Sequence, residues 1–185
     1  MKATGIVRRI DELGRVVIPK EIRRTMRIRE GDPLEIFTDR DGEVILKKYS
    51  PIGELSNFAK EYTEALTQVL GHTSCICDKD TVVAASGSGR KDLLDKPIHE
   101  DMEQIIESRK KTAVNRGEAG HFANIIAHIN NAEEYSAQVI VPVVVQGDAI
   151  GAIMLVSKDA QTHMGETELK VAETAAGFMS RQMLF

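Results

Sequence analysis

The sequence lacks several features that would place it in a specialised class of proteins. It has no tryptophan, aromatic residues make up only 4% of the chain, and two cysteines occur among 185 residues. No apolar run approaches the roughly 20 residues that a membrane-spanning helix needs. Residues 1–16 also lack the apolar core of a signal peptide, because charges interrupt each short hydrophobic stretch. We therefore expect a cytoplasmic protein that does not enter a membrane.

The two cysteines, Cys75 and Cys77, are too few for a disulfide framework or a complete zinc site. They alternate with Ile76 on a predicted strand, so both side chains should point to the same face of a sheet. A redox pair or half of a metal site is one interpretation, and burial as small apolar residues is the one we favour. The five histidines are dispersed without HxH or HExxH spacing, so we expect no metal and no cofactor.

What the sequence does contain is a strong asymmetry of charge. Residues 1–50 carry 12 Lys+Arg against 9 Asp+Glu, a net charge of +3, and residues 51–185 carry 12 against 19, a net charge of -7. The first 29 residues alone hold nine basic and three acidic side chains, which makes +6. A basic patch on an otherwise acidic protein indicates a polyanionic partner.

Residues 1–50 predict a small β-β-α-β-β module. Its expected elements are strands at Thr4–Ile10 and Val16–Ile18 around a turn at 11–14, a short helix from Lys20 to Met26, and a hairpin of residues 34–37 and 44–46 around Asp41-Gly42. A module of this size with two aromatic side chains buries little core, and it has no disulfide or metal to compensate. We therefore expect it to associate with a second copy of itself.

Residues 51–53 are predicted as a linker and residues 54–185 as a second domain, which makes the chain α+β. Helices at 54–70, 98–111 and 165–184 accompany the strands, and residues 115–135 are predicted as a long loop. Apolar strands at 138–145 and 149–157 are joined by Gln146-Gly147-Asp148, a hairpin connection with glycine where a positive φ is needed.

The first and last helices of this domain carry apolar side chains spaced 3, 4, 3, 4, which is typical of a helical seam. We predict that they form a dimer bundle between chains. The oligomerisation residues would be Leu55, Phe58, Tyr62, Leu169, Ala172, Ala176, Met179 and Met183. A second apolar line through Val171, Ala175 and Phe178 widens the face of the last helix beyond what one sheet requires. Two association surfaces favour a tetramer, a dimer of dimers, over a dimer.

The segment from Gly5 to Phe37, GIVRRIDELGRVVIPKEIRRTMRIREGDPLEIF, resembles the swapped-hairpin DNA-binding domain of the AbrB family of bacterial transition-state regulators. In that family two chains interleave their hairpins into one β-rich dimer whose arginines contact DNA. The resemblance therefore implies double-stranded DNA as a partner. By position it implies DNA contacts at Arg8, Arg15, Arg23 and Arg24, with secondary phosphate contacts at Lys2, Arg9 and Lys20.

Residues 142–155, PVVVQGDAIGAIML, are similar to the closing hairpin of GAF domains. This resemblance implies an antiparallel sheet with flanking helices and a small molecule held against the sheet, with residues 116–135 as a lid. The molecule stays unnamed. The combination of both domains resembles the sporulation regulators of the AbrB family, which implies activation and repression of late genes in the forespore.

Three alternatives stay open beside a DNA-binding regulator. Charge clustering alone would also fit a merely solvated basic face, although the planar fork of arginine suits phosphate and guanine. An antitoxin could use the same swapped hairpin, but antitoxins usually carry a short disordered tail where this chain predicts a folded domain. A redox enzyme would use Cys75 or Cys77. Because no paired carboxylate or activated nucleophile emerges, we expect a protein that is not an enzyme.

Overall fold

The computed structural model describes residues 4–183, which separate into two compact units. The N-terminal unit extends to Tyr49, and the C-terminal unit begins at Ser50. Among the described residues, no helix combines the length and the apolar character needed to cross a membrane.

The N-terminal unit contains one short helix and one β-hairpin, both in the predicted positions. Helix α1 covers Lys20–Thr25 and follows Pro19, whose fixed φ suits the start of a helix. Strands β1 (Leu34–Thr38) and β2 (Val44–Lys48) pair antiparallel. The Asp39 carboxylate accepts two backbone N–H groups of the connecting turn and so closes it.

Residues 4–10 and 16–18, which we predicted as strands, are not part of a sheet in the single chain. The turn between them is present, because the backbone N–H of Gly14 donates to the carbonyl oxygen of Asp11 at 2.9 Å. Within residues 4–183, however, no strand lies beside these segments, and apolar side chains such as Val7 (85% exposed) face solvent. The strand prediction is wrong for a single chain, because a strand forms only where a second one pairs with it.

The C-terminal unit is built on an antiparallel sheet of five strands: β3 Thr73–Asp78, β4 Val82–Ser86, β5 Thr112–Asn115, β6 Ala137–Val145 and β7 Asp148–Ser157. Their order across the sheet is β4-β3-β7-β6-β5, so the hairpin of β6 and β7 lies inside it. The turn of this hairpin has positive φ at Gln146 (50°) and Gly147 (94°), as a two-residue type I′ turn requires. The predicted hairpin and its glycine turn are confirmed.

The helices of this unit are α2 Pro51–Glu54, α3 Ser56–Leu70, α4 Arg90–Leu93, α5 Glu100–Ser108 and α6 Glu166–Gln182, with a 3-10 turn at Ala132–Glu134. The helices predicted at 54–70, 98–111 and 165–184 are therefore present with shifted ends, and residue 184 lies outside the described residues. Helix α3 ends where Gly71 adopts a φ of 75°, a left-handed conformation that stops a helix.

Residues 51–53 form part of helix α2 rather than the linker that we predicted. The Ser50 hydroxyl accepts from the backbone N–H of Gly53 at 2.9 Å, and Pro51 occupies the first turn, where its missing N–H costs nothing. Ile52 is fully buried. The linker prediction is wrong because this side chain packs on the sheet, a contact that no local pattern reveals.

The sheet separates two hydrophobic clusters. On one face, α3 and α6 pack over side chains that include Ile76 and Leu155. On the other face, α5 and the loop before β6 cover side chains that include Cys75 and Met154. The largest fully buried side chains all belong to this unit, whereas Pro19 is the only buried residue among those described in the N-terminal unit.

Candidate nucleic-acid interface

Basic side chains cluster in the N-terminal unit. Six of the seven predicted DNA contacts lie in its described part: Arg8, Arg9, Arg15, Lys20, Arg23 and Arg24. All are exposed except Arg23, which is half-buried. The seventh, Lys2, lies outside the described residues. The structure thus places these cations in one small unit, partly on irregular chain and partly on α1.

Asp11 orients the guanidinium of Arg15 at the tip of the turn. The Asp11 carboxylate accepts from Nε of Arg15 at 2.8 Å and from the backbone N–H of the same residue at 2.8 Å. These hydrogen bonds, the backbone one foremost, lower the pKa of Asp11 below its ordinary value. The pair is exposed and adds little to stability, so its effect is to restrict where the Arg15 cation lies.

Helix α1 ends in a hydrogen-bond pattern, and the chain just after it is bonded to the hairpin. Arg27 adopts a φ of 51°, and the N–H of Ile28 donates to the carbonyl oxygen of Arg23 at 2.7 Å, as in a Schellman motif. The ammonium of Lys48 on β2 donates to the carbonyl oxygen of Arg27 at 2.9 Å. Helix and hairpin are thereby joined, so Arg23 and Arg24 are held on an ordered element.

Arg23 is the most constrained of these cations. Its Nε is buried and has no hydrogen-bond partner among residues 4–183. A buried donor without an acceptor costs about 1–3 kcal/mol. An acceptor from another molecule would remove this cost.

The predicted oligomerisation residues on and beside α3 lie at its partly open face. Leu55, Phe58 and Tyr62 are half-buried. The rings of Phe58 and Tyr62 stack with centroids 5.5 Å apart, and Phe178 of α6 lies 5.8 Å from Tyr62. This aromatic cluster joins the two helices. Its outer side is open, because Phe178 is 41% exposed and Val69 on α3 is 78% exposed.

On α6 the predicted interface needs correction. Ala172, Ala176 and Met179 are buried inside the C-terminal unit, so a partner does not reach them, while Leu169 and Met183 are half-buried. The 3, 4 spacing marks the side of a helix that buries its apolar side chains, and here this side faces the sheet of the same chain. Spacing alone does not distinguish the two burial partners.

The cysteines are confirmed as buried residues on one face of the sheet. Cys75 and Cys77 are fully buried in the same cluster. Burial raises the pKa of Cys75 to about 12 and raises that of Cys77 as well. Both thiols therefore stay protonated at neutral pH, and a redox reaction through a thiolate has no support in this geometry.

The loop of residues 116–135, predicted as a lid, is attached to the sheet through buried amides. The Gln138 side chain on β6 accepts from the N–H of Ala123 at 2.8 Å and donates to its carbonyl oxygen at 3.0 Å. Asn131 accepts from the N–H of Ile125 at 2.9 Å. The Ile125 side chain is fully buried among the residues that cover this face. The chain's own side chains therefore occupy the surface that the resemblance assigned to a ligand.

An open cleft of about 320 Å³ lies at the ends of β3 and β7. Its lining includes His72, Thr73, Tyr135 and Ser157. At its rim the ammonium of Lys158 lies 2.6 Å from a Glu134 carboxylate oxygen and 3.6 Å from one of Asp92. The hydrogen bond to Glu134 is the main cause that raises the pKa of Lys158. A cleft of this size and mixed polarity suits a small polar molecule.

Sequence patterns did not reveal the roles of Ile52 and Lys158. A local signal existed for the helix that contains Ile52, since Ser50 is a helix cap and Pro51 is favoured in a first turn, but none existed for the contact of Ile52 with the sheet. For Lys158 none existed, because Glu134 lies 24 residues away along the chain. Only the folded sheet brings these two side chains together.

Comparisons with known proteins define the class of the chain. The transition state regulatory protein AbrB of Bacillus subtilis (strain 168) is 67% identical over 51 residues, which are 28% of this chain and 52% of AbrB. Residues 7–54 also match the family model for the antidote-toxin recognition protein MazE, a bacterial antitoxin. The GAF domain of PixJ from Thermosynechococcus elongatus is 18% identical, covers 73% of this chain and 90% of that one, and gives a TM-score of 0.55. The chain thus joins an AbrB-like domain to a GAF fold, and the predicted α+β architecture is confirmed.

The family follows from matches that span more of the chain. Residues 54–184 match the model of the stage V sporulation protein T C-terminal domain, described as a transcription factor. Stage V sporulation protein T of Bacillus subtilis (strain 168) is 58% identical over 183 residues, which are 99% of each chain. The chain belongs to the stage V sporulation protein T family of transcription factors.

Proposed function

We propose that this chain binds double-stranded DNA through the basic face of its N-terminal unit and regulates late sporulation genes in the forespore cytoplasm. It would activate some promoters and repress others, without enzymatic activity. The observation that carries this proposal is the excess of basic side chains in residues 1–29, nine against three acidic, in a chain of a transcription factor family. Guanidinium groups suit this role because they bind phosphate oxygens or guanine edges with two hydrogen bonds.

The DNA-binding form would contain a second copy of the N-terminal unit. Exposed apolar side chains before α1, among them Val7, Val16 and Val17, would be covered by swapped hairpins from two chains. The buried Nε of Arg23 supports the same view, because it has no acceptor among residues 4–183 and a second chain that packs around α1 would supply one. Two basic faces would then lie side by side on one duplex.

Within that form, Arg8, Arg15, Arg23 and Arg24 are the principal contacts that we propose, with Lys2, Arg9 and Lys20 as secondary phosphate contacts. Arg24 is exposed on α1, and Asp11 restricts the Arg15 guanidinium. Phosphate contacts position a protein on DNA, whereas base contacts and DNA shape carry sequence information.

A second association surface would make the assembly a dimer of dimers. The open side of the aromatic cluster, with Val69 and Phe178, is apolar and lies on the two helices that flank one face of the sheet. Pairing this surface between chains would form a helical bundle. Two linked DNA-binding dimers would gain affinity for DNA that carries two sites.

We further propose that a small-molecule signal acts on the GAF domain and alters the affinity for DNA. The open cleft near Lys158 has room for such a molecule, whereas side chains occupy the face beneath residues 116–135. A ligand that binds one arrangement of the domain better than another shifts the population toward it.

An antitoxin is the second candidate, because residues 7–54 match the MazE antitoxin model. The sequence that follows favours the regulator. Residues 50–183 form a compact unit with its own core, and residues 54–184 match a transcription factor domain rather than a short toxin-binding tail.

The test is an electrophoretic mobility shift of the purified full chain on sporulation promoter DNA, repeated over a salt series. We expect tight binding that weakens steeply with salt, because each phosphate contact releases counterions. Unrelated DNA of the same length is the control for sequence selectivity. Absence of binding at low salt, with the oligomer intact by light scattering, would contradict the regulator and favour a protein partner.

A further inference from the structure

The N-terminal unit contains two turns of the same construction. Residues 11–15 (DELGR) and residues 39–43 (DRDGE) both begin with aspartate and carry glycine at the fourth position. In each turn Oδ1 of the aspartate accepts the backbone N–H groups two and four residues further along, at 2.9 and 2.8 Å in the first turn and at 3.0 and 2.9 Å in the second. Gly14 and Gly42 adopt φ of 77° and 81°, as a three-residue hairpin connection requires. Each turn is therefore held by hydrogen bonds among its own residues.

The two turns differ in their last residue. In the first turn it is Arg15, whose Nε donates at 2.8 Å to Oδ2, the second oxygen of the Asp11 carboxylate. In the second turn it is Glu43, whose carboxylate offers no N–H group to Asp39. The aspartate of the first turn therefore has two separate tasks, since Oδ1 closes the turn and Oδ2 holds a guanidinium.

The pair of Asp11 and Arg15 is open to other molecules. The Arg15 side chain is 70% exposed, and an exposed pair of this kind contributes little to stability. Hydrogen bonds from Arg15, the backbone one foremost, lower the pKa of Asp11, so its carboxylate is ionised at neutral pH. The bond to Asp11 engages Nε, whereas the fork that binds a guanine edge consists of the N–H groups of a guanidinium's outer side. The pair thus restricts the plane of the Arg15 guanidinium without stabilising the fold.

We propose that Asp11 is a positioning residue that makes the Arg15 contact selective for DNA sequence, a role that rests on the proposed function. A mobile arginine reaches any nearby phosphate oxygen, whereas two hydrogen bonds to the O6 and N7 atoms of guanine require the guanidinium plane to be aligned with the base. Asp11 supplies this alignment by holding Nε. Its negative charge also repels phosphate groups, which disfavours a contact of this turn with the DNA backbone. Asp11 thereby raises selectivity and lowers the affinity for DNA in general.

The experiment measures selectivity and affinity separately in the full chain. Kd is determined for sporulation promoter DNA and for unrelated DNA of the same length, and the readout is the ratio of the two values. Asp11→Asn keeps one oxygen to close the turn and replaces the other by an amide NH2 group, which cannot accept from Nε of Arg15. We expect this substitution to reduce the ratio about tenfold, because a bidentate base contact discriminates by at least that order. Unrelated DNA should be bound as tightly as by the wild type or more tightly.

Two variants are controls for charge and for closure of the turn. Glu12→Gln removes one negative charge from an exposed residue of the same turn, so it measures what net charge alone does to the ratio. Asp39→Asn makes the substitution of Asp11→Asn in the second turn, where Glu43 stands in the place of Arg15. Both variants should keep the ratio of the wild type.

A double-mutant cycle separates an effect through Arg15 from an effect on the turn. If Asp11 acts through Arg15, Asp11→Asn should leave the ratio unchanged in an Arg15→Ala background. Asp11→Ser serves if Asp11→Asn does not fold, since a serine hydroxyl also closes such a turn and leaves no acceptor for Nε. An equal fall of the ratio with and without Arg15, or a folded Asp11 variant with the ratio of the wild type, would overturn the inference while DNA binding stands. A wild type that binds no DNA would overturn the proposed function, and the inference with it.

Discussion

The two units of this chain differ in how much of their apolar surface they bury. In the C-terminal unit, large side chains such as Ile153 and Leu155 are completely buried between the sheet and its helices. In the N-terminal unit, apolar side chains such as Val7, Val17 and Ile36 stay mostly exposed. Burying such a side chain contributes about 1.5–3 kcal/mol, so the C-terminal unit gains from its own core a stabilisation that the N-terminal unit lacks as a single chain. Domain size alone explains the direction of this difference.

The largest effect on this comparison is expected inside the C-terminal core. Ile153→Ala should lower the free energy of unfolding of this unit by about 2–5 kcal/mol, because it leaves a cavity between sheet and helices. Urea denaturation followed by circular dichroism measures the change. Ile129→Ala is the control, since Ile129 is 50% exposed and its substitution should change the free energy of unfolding little. Equal effects of the two substitutions would contradict the packing described.

In the N-terminal unit the largest effect should be on DNA rather than on folding. Arg23→Ala/Arg24→Ala should weaken binding about 100-fold and reduce its salt dependence, because two contacts of about 1–3 kcal/mol each are lost. Arg24→Ala alone should weaken DNA binding about tenfold. This single variant distinguishes the contribution of the exposed Arg24 from that of the half-buried Arg23. Fluorescence anisotropy across a salt series measures both.

Arg109→Ala/Lys110→Ala is the matched pair in the C-terminal unit, where both side chains are exposed. It should leave the DNA affinity within about twofold of the wild-type value, since exposed charges outside the proposed interface contribute little. A large loss of DNA affinity in the Arg109→Ala/Lys110→Ala variant would contradict the assignment of DNA binding to the N-terminal unit. An unchanged affinity in the Arg23→Ala/Arg24→Ala variant would contradict it as well.

A smaller effect tests whether a second chain covers the N-terminal unit. Consecutive side chains of a strand point to opposite faces, so one of Val16 and Val17 should lie inside a swapped hairpin. Val16→Ala/Val17→Ala should therefore cost about 1–3 kcal/mol and make unfolding more dependent on protein concentration. Thermal unfolding at several concentrations measures this. An unchanged midpoint would mean that both valines stay exposed in the native protein.

The aromatic cluster allows a test of the second association surface. Phe178→Ala removes ring contacts with Phe58 and Tyr62, each worth about 0.5–1.5 kcal/mol. It also removes an exposed ring from the apolar surface that we propose for pairing between chains. We expect the mass in solution to fall by half on dilution at concentrations where the wild type stays assembled. Light scattering measures the mass. If the variant matches the wild type at every concentration, this face is not an interface.

The smallest expected effect concerns alkaline pH. The pKa of Cys75 is raised from its ordinary 9.0 to about 12, so its contribution to stability is complete below pH 9 and is lost as the pH rises toward 12. Cys75→Ala should reduce the loss of stability over this range relative to the wild type. Urea denaturation at a series of pH values measures the difference. An identical decline in both proteins would argue that Cys75 is not buried in the folded state.

Local patterns predicted the elements that depend on near neighbours in the chain. The turn of Gln146 and Gly147, the helix after Pro19 and the shared face of Cys75 and Cys77 were all foreseen, because each follows from backbone geometry over a few residues. The apolar line of α6 was foreseen as well, but its partner was not, since Ala172 and its neighbours pack on the same chain. The spacing of apolar residues indicates that one face of a helix is buried, but it does not identify the surface that covers this face.

The sequence by itself determined the division of charge, the class of fold and the family, because composition and the AbrB-like motif are properties of the chain read residue by residue. Tertiary structure alone decided that Ile52 packs on Gly151 and that residues 116–135 fill the face of the sheet. It also left the Nε of Arg23 buried without an acceptor among the described residues. These features join residues far apart in the chain, and only the closed sheet and its helices set the distances between them.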